Sequence, residues 1–447
     1  MFHFIGMGGV GMAAVAELLA ARGQAVAGSD RAASANTARL EQAGITIYVG
    51  HDESNVDPDA VIVVSSAIAD SNPELVIARS RGQRVIHRSQ ALAIAASGFD
   101  FVAVAGAHGK TTTSGMLAVA LTEAGADPSY AVGSTLPGGA SGARLGEGSM
   151  FVAEADESDG SFLNYSPSIE IVTNIEPDHL DHYGTVDMFE QAFVDFASCR
   201  TEDGLLIACA DDPGSRRLVE AASGRRWSYG TSSPAAGVDA HISIALTGPS
   251  SADLTLTGPG RTVSASLELA VPGDHMVRNA AAAWAAGIEL GIEPSAMASA
   301  LSSFTGTGRR FEHKGTVRDI QVIDDYAHHP TEVAATLTAA RAQTAGQVRV
   351  IFQPHLYSRT AAFKDEFAKA LDLADDVIVT SVFGAREEPV PGIDGHIIAD
   401  SMVRGVFVDD MHEAAAQIVS RAEPGDLIMT MGAGSVTTLT SEIVAAL

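Results

Sequence analysis

Short apolar runs recur along the chain, at residues 2–5, 60–64, 101–105, 150–155, 169–173, 348–352, 376–380 and 426–430, separated by stretches with helical spacing. A strand followed by a helix, repeated many times, predicts parallel sheets covered by helices. The pattern changes between about 230 and 272, where Ser, Thr, Gly and Pro are common and Leu254-Thr255-Leu256-Thr257 alternates with period two. That stretch reads as a small antiparallel excursion, and a helix over 275–290 returns to the α/β pattern. Ser97-Gly98 and Thr305-Gly306-Thr307-Gly308 supply the turn-rich punctuation of boundaries, so the chain divides into 1–98, 99–306 and 307–447. At 447 residues, each segment is long enough to bury a core of its own.

Two of the strand-to-helix turns are glycine-rich. The first is Gly6-Met7-Gly8-Gly9-Val10-Gly11, with a second strand that ends at Asp30. Strand, G-x-G-x-x-G, helix and a later acid form the dinucleotide fingerprint, in which backbone amides and a helix N-terminus face a diphosphate. The bland alternative is a glycine turn kept for close strand–helix packing. The second is Gly106-Ala107-His108-Gly109-Lys110-Thr111-Thr112, between the apolar run 101–105 and a helix over 112–124. Lys110 is the sole lysine before Lys314. Its ammonium behind a glycine turn suits the outer phosphates of a nucleotide, and Thr111 suits a hard cation. The strict P-loop pattern fails, because Val104 stands where its first glycine would be.

Charge narrows the classes. With 55 acidic and 28 basic residues, the net charge is −27. Such a balance opposes broad contact with nucleic acid or an anionic membrane, so anionic ligands need local arginines, histidines and amides. Cys199 and Cys209 match neither a disulfide framework nor a metal spacing and read as buried thiols of a reducing cytosol. The first residues enter a strand directly, with no charged leader, and no apolar run is long enough to span a bilayer. A soluble cytoplasmic protein is expected.

Several further strands end in chemistry-bearing residues, where open α/β sheets place ligands. Glu154-Ala155-Asp156-Glu157-Ser158-Asp159 follows one strand, and Glu154 suits Mg²⁺; the alternative is a solvated acidic loop. Thr173-Asn174-Ile175-Glu176-Pro177-Asp178-His179-Leu180-Asp181 follows another, with His179 either a metal ligand or a cap. Asp324-Asp325-Tyr326-Ala327-His328-His329-Pro330 gathers two acids, a tyrosine and two histidines at a single strand end. Gln353-Pro354-His355-Leu356-Tyr357-Ser358-Arg359 ends the next; Arg359 suits a bidentate carboxylate or phosphate clamp, or a surface ion pair. Arg309-Arg310 at the hinge is either a guanidinium that swings onto a triphosphate or a solvated linker. His275 and Asn279 share one helix face, where Asn suits an adenine edge and His275 a cap.

These blocks, in this order, resemble the Mur ligases of peptidoglycan synthesis, and the resemblance runs through essentially the whole chain. It is most specific at Gly106–Thr112, Glu154–Asp159, 173–181, Gly308-Arg309-Arg310-Phe311, 325–332 and 355–359. It implies an α/β fold of three domains. These are a Rossmann-like UDP-substrate domain (1–98), a P-loop-type central ATPase domain with a parallel sheet plus a small antiparallel sheet (99–306), and a Rossmann-like amino-acid domain (307–447). The implied activity, in the cytoplasmic pathway of cell-wall synthesis, is ATP-dependent amide formation between UDP-N-acetylmuramate and L-alanine through an acyl phosphate. The resemblance assigns the first glycine loop to the UDP moiety, with Gly8, Gly9, Gly11, Asp30, Ser65, Ser66, His87, Arg88, Glu157 and Ser158 around it. It assigns ATP to Gly106, Ala107, His108, Gly109, Lys110, Thr111, Thr112, His275, Asn279 and Arg309, and Mg²⁺ (Mn²⁺ as an alternative) to Thr111, Glu154 and His179. Tyr326, His328, His355 and Arg359 would hold alanine, and Lys110, His108, Arg309 and His328 would be catalytic.

No lysine lies between Lys110 and Lys314, which excludes the carbamylated lysine of some relatives and matches the alanine-adding branch. Three departures stand out: Leu356 where many relatives have arginine, Ser435 where an acid is frequent, and Gln90 where an acid is usual. The competing readings are a recycling ligase that takes a ready-made peptide, an NAD(P)-dependent oxidoreductase, and a nucleotide-sensing module without catalysis. No nucleic-acid or membrane partner is expected, and monomer and homodimer stay open.

Overall fold

The computed structural model describes residues 1–385 and 387–447, the side chains of residues 180 and 181 excepted. Contacts divide them into two compact units: Met1–Ala270 with Met276–Thr305, and Val271–His275 with Gly306–Leu447.

The first unit carries two sheets. One has five parallel strands in the order Thr46–Val49, Val26–Asp30, Phe2–Ile5, Val61–Val64, Val85–His87. Its order reverses between Phe2–Ile5 and Val61–Val64, so the carboxyl ends of these two strands open the crevice in which such sheets bind ligands. The glycine loop 6–11 and Ser65-Ser66 follow those two strands. Helix Val10–Ala21 buries Met12, Val15, Leu18 and Leu19 against this sheet, a stripe at helical spacing.

The second sheet has ten strands. Its parallel centre runs Ser129–Ala131, Met150–Glu154, Asp100–Ala105, Ile169–Val172, Leu205–Cys209, Arg225–Gly230. These central strands are apolar almost throughout because helices cover both of their faces, as parallel sheets require. The antiparallel excursion is present as Ala240–Gly248, Ser251–Gly258 and Arg261–Glu268. It extends the edge of the main sheet, because Trp227–Gly230 pairs in parallel with Ala240–Ser243. Leu254 and Leu256 alternate inward as their spacing requires.

The second unit has one six-stranded sheet in the order Glu312–Val317, Ile320–Asp325, Leu427–Met431, Val348–Phe352, Asp376–Val379, Val406–Phe407. Only the first pair is antiparallel. Helices Pro330–Gln343 and Lys364–Leu371 bury their apolar residues in one cluster, and Met411–Arg421 and Leu439–Ala446 in another. The carboxyl ends of its middle strands lead into residues 326–329, 353–356 and 432–434. Among the described residues no helix is long and apolar enough to cross a membrane. Cys199 and Cys209 are both thiols, the first half-buried and the second buried.

Candidate active site

Strand Asp100–Ala105 delivers the loop that starts helix Lys110–Glu123. Gly106 and Gly109 have φ of 133° and 83°, which L side chains rarely adopt. A Cβ on Gly106 would lie 2.1 Å from Thr173 Oγ1, and one on Gly109 would lie 2.8 Å from Asn279 Oδ1. The loop is therefore glycine for close approach as well as for its backbone angles. Its far wall is the end of strand Ile169–Val172: Asn174 accepts from His108 N at 2.9 Å and donates to His108 O at 2.9 Å.

Lys110 Nζ donates to Gly106 O at 2.6 Å and to Glu157 Oε1 at 2.8 Å. Burial works against the charge on Lys110, but Glu157, Asp156 and Glu154 outweigh it and raise its pKa, so it stays an ammonium. Burial, with Asp156 adding to it, pushes the Glu157 carboxyl up to about 7 against the pull of Lys110. Thr111 Oγ1 donates to Glu154 Oε2 at 3.1 Å, and Glu154 Oε1 accepts from Gly133 N. His179, with φ of 52°, lies 3.6 Å from Asp178 Oδ2 and 3.9 Å from Glu157 Oε1. His108 Nε2 meets Glu176 Oε2 at 2.9 Å. The structure thus brings together Gly106 to Thr112, Glu154, His179 and Asn279. His275 stands on the same helix, Asp274–Glu289, and belongs to the other unit, its ring against Gly273. Asp181, in the same sequence block as His179, lies outside the described side chains.

At the first glycine loop, Gly8 N donates to Asp30 Oδ2 at 2.8 Å and Asn36 Nδ2 to Gly8 O at 2.8 Å. Asp30 therefore braces the loop itself. The Arg88 guanidinium leans over Gly11, where a Cβ would lie 2.3 Å from Nη1. Ser66 follows strand Val61–Val64, His87 ends strand Val85–His87 and Arg88 follows it, so they join Gly8, Gly9 and Gly11 at the crevice. Gln90 closes a capping box with His87 at the start of helix Arg88–Ala96, a job open to an amide as well as an acid. Burial lowers the His87 pKa, which keeps the ring neutral. Glu157, expected beside the UDP moiety, is buried against Lys110 instead. Its neighbours reach the crevice: Asp156 lies 3.6 Å from Arg88, and Asp159 accepts from Ser66 Oγ at 2.5 Å. The backbone of Ser158 turns between them, its N donating to Asp156 Oδ1 at 3.1 Å.

The second unit has its own cluster. Arg309 and Arg310 stack on the Tyr326 ring at 4.8 and 4.9 Å from its centroid. The rings of Tyr326 and His328 are 5.2 Å apart, and those of His328 and His355 are 5.9 Å apart. Arg359 is buried and its Nη1 lies 3.5 Å from His355 Nδ1. Burial, with Arg359, Arg310 and His355 adding to it, pushes the His328 pKa down to about 3 against Glu332. A neutral ring with Nδ1 3.0 Å from the Tyr326 carbonyl must donate from Nδ1, which leaves the lone pair on Nε2. Arg309 Nη2 donates to Gly432 O at 2.6 Å and Gly434 O at 3.2 Å, so it is moored within its own unit here. Leu356 is buried with φ of 70°, so it packs inward rather than supplying a polar contact. Ser435 hydrogen-bonds Gln353 at the end of strand Val348–Phe352.

Asp325 and Glu332 carried no role in the sequence reading. Asp325 accepts from Phe311 N at 2.7 Å and Ala327 N at 2.8 Å, fixing the turn that carries Tyr326 and His328. Glu332 lies 3.2 Å from His328 Nδ1 and 3.5 Å from Arg310. The i, i+4 spacing of His328 and Glu332 into a helix start was the available signal.

Comparison with known proteins bears on all three regions. A model of the Mur ligase family, catalytic domain, matches residues 1–100; the Mur ligase middle domain matches 104–287; and the Mur ligase, glutamate ligase domain, matches 309–434. The chain is 49% identical to a UDP-N-acetylmuramate–L-alanine ligase of Renibacterium salmoninarum, over 100% of this chain and 95% of the relative. It is 50% identical to the ligase of that name from Kineococcus radiotolerans, over 99% and 95%. Among solved structures, UDP-N-acetylmuramate-alanine ligase from Thermotoga maritima aligns with a TM-score of 0.78 at 29% identity, covering 99% of this chain and 98% of the other. A murein peptide ligase from Psychrobacter arcticus aligns with 0.72 at 26% identity, covering 100% and 98%.

Proposed function

Since the chain belongs to the Mur ligase family, we propose that it joins the carboxylate of UDP-N-acetylmuramate to L-alanine, with ATP cleaved to ADP and phosphate. The observation that carries this reading is the Lys110 cradle: a half-buried ammonium, held charged by acids, behind two glycines at a helix start. The reading assigns 1–98 to the UDP-substrate, 99–306 to ATP and 307–447 to the amino acid.

A carboxylate resists attack by an amine until one of its oxygens becomes part of a leaving group. In the proposed first step the muramyl carboxylate oxygen attacks the γ-phosphorus and ADP departs with the bridging oxygen. The alanine nitrogen then attacks the acyl carbon, and the tetrahedral intermediate collapses with loss of inorganic phosphate and a proton. Lys110 and the amides of residues 107–111 offset the charge on the transferring phosphoryl group. His108, hydrogen-bonded through Glu176, stands at the loop where the acyl end would lie. Arg309 would contribute once released from Gly432 and Gly434.

Thr111, Glu154 and His179 are the proposed ligands of Mg²⁺ or Mn²⁺; a hydroxyl 3.1 Å from a carboxylate at the phosphate end of the loop fits a hard cation. Bound there, the ion would supply charge neutralisation between two anions. Asn279, beside Gly109, is proposed to face adenine with His275. Arg359 is proposed to clamp the alanine carboxylate, with Tyr326, His328 and His355 forming the pocket; the His328 lone pair on Nε2 can accept from the amine. Gly8, Gly9, Gly11, Asp30, Ser65, Ser66, His87 and Arg88 are proposed around the UDP diphosphate, with Glu157 and Ser158 acting at one remove. The same reading carries a cytoplasmic location.

Phosphate release tests the proposal. It should require UDP-N-acetylmuramate, ATP, Mg²⁺ and L-alanine together, and oxygen-18 in the muramyl carboxylate should appear in the phosphate. Turnover with a tripeptide in place of alanine, or label that stays out of the phosphate, would refute it.

A further inference from the structure

Two adjacent carboxylates, Asp211 and Asp212, follow strand Leu205–Cys209 and reach opposite walls of the Lys110 loop. Asp212 Oδ1 accepts from Ile175 N at 3.0 Å and from Ser215 N at 2.7 Å, where it caps helix Pro213–Ala221. The residues on either side of Ile175 both grip His108. Asn174 Oδ1 accepts from its backbone N–H at 2.9 Å, and Glu176 Oε2 lies 2.9 Å from its Nε2. Asp211 Oδ2 accepts from Arg278 Nε at 2.9 Å, and Arg278 precedes Asn279, whose amide lies against Gly109. Thr231 N, Thr231 Oγ1 and Ser232 N donate to the same carboxylate at 2.9, 3.0 and 2.8 Å. Burial works to raise the Asp211 pKa, but Thr231, Ser232 and Arg278 hold it well below the usual carboxylate range. Glycines admit both approaches: a Cβ on Gly214 would lie 2.5 Å from Ile175 O, and one on Gly230 would lie 2.5 Å from Asp211 Oδ1.

We propose that Asp211 and Asp212 are positioning residues that set the two walls of the nucleotide cradle separately: Asp212 places His108 through Ile175, and Asp211 places Asn279 through Arg278. The inference rests on the function proposed above and adds two residues to it. Each carboxylate acts on the cradle through one intermediary. Asp212 holds a backbone amide, so its loss lets 174–176 slide and His108 with them. The acyl end of the reaction then suffers while the base is still held, and a misplacement of about 1 Å can cost on the order of a hundredfold in rate. Asp211 holds the first turns of helix Asp274–Glu289, where Asn279 stands. Its loss lets the amide drift from the base edge that it would read. Affinity and base selectivity then suffer while the phosphate chemistry stays aligned. One strand end thereby tunes rate and nucleotide recognition apart from each other.

Steady-state phosphate release by the full chain tests this, with ATP varied at saturating UDP-N-acetylmuramate, L-alanine and Mg²⁺. Asp212→Ser keeps a helix cap, but its hydroxyl is one bond too short to serve Ile175 N as well. It should lower kcat about tenfold to a hundredfold and change the KM for ATP less than about threefold. Asp212→Asn keeps an acceptor for both amides and should return kcat to within about threefold of the natural sequence. Arg278→Ala, at a side chain 34% exposed, should raise the KM for ATP about tenfold with kcat within about threefold, and should narrow the preference for ATP over GTP. Arg278→Lys keeps a cation for Asp211 and should recover most of that loss. A merely structural role would move kcat and KM alike in both variants. Should Asp212→Ser fail to fold, the Arg278 pair decides alone, since equal effects on kcat and KM there overturn the inference. Parallel changes in the two variants, or no recovery in Asp212→Asn and Arg278→Lys, overturn it too. Absence of phosphate release by the natural sequence overturns the proposed function instead, so the two failures are distinct.

Discussion

Lys110 shows how one side chain's surroundings decide its chemistry. Two backbone carbonyls and a buried carboxylate aim the ammonium along the loop, so its orientation is set before any ligand arrives. Lys110→Ala should lower kcat by about a hundredfold to a thousandfold, since removed electrostatic contacts to a developing charge cost that much. Single-turnover phosphate release measures it, and activity within tenfold of the natural sequence would count against the role. Arg359→Lys should raise the KM for alanine about tenfold with kcat little changed, because an ammonium cannot make the paired contact. An unaltered KM would remove Arg359 from the alanine pocket. His328 gives a pH prediction. Its folded pKa of about 3 lies below the unfolded value, so on acidification through about pH 6.5 the unfolded chain takes up a proton that the folded chain refuses. Stability is therefore lost as pH falls, by at most about 2 kcal/mol between pH 7 and 5, less any screening by solvent at its partly exposed ring. Scanning calorimetry of the full chain should show that slope flattened in His328→Asn; an identical slope would mean that the ring is not held neutral.

At the scale of elements, most of the site was legible because strand ends are. The apolar run 101–105 and the glycines after it announce strand, loop and helix N-terminus, and the fold obeys. Side chains beyond a strand's last residue follow no period, so sequence could not tell that Glu157 turns inward to Lys110 while Asp156 and Asp159 turn to the crevice. Nor could alternation at 254–257 tell whether those strands form a sheet of their own or, as found, extend an existing one. The mooring of Arg309 on Gly432 and Gly434 joins residues too far apart in sequence for any local signal. The glycines separate into two kinds. Gly106→Ala would drive a Cβ into Thr173 and the Asn174 backbone at a φ of 133°, and should cost several kcal/mol, on the order of a severe core change. Gly11→Ala meets only the end of the flexible Arg88 side chain, so folding should be spared while affinity for the UDP-substrate falls. Thermal melts alongside ligand titration separate the two; equal melting points would refute the distinction.

For the whole molecule, a charge of −27 opposes every anionic substrate at long range, whatever the proposed cradles do at short range. Screening reaches about 30 Å at 0.01 M salt and about 10 Å at 0.1 M. Adding inert salt across that interval should therefore raise the association rate of UDP-N-acetylmuramate, measured by stopped flow. A rate that falls instead would show that local cations, not the total charge, steer the approach.

The walls of the Lys110 loop come from distant parts of the chain: Gly133, Glu154 and Glu157, then Thr173 and Asn174, and finally Asn279. During synthesis the loop cannot acquire its full set of walls until residue 279 has emerged. The contacts that close around this loop are thus long-range ones, whose loop-closure cost in the unfolded chain makes them slow to form.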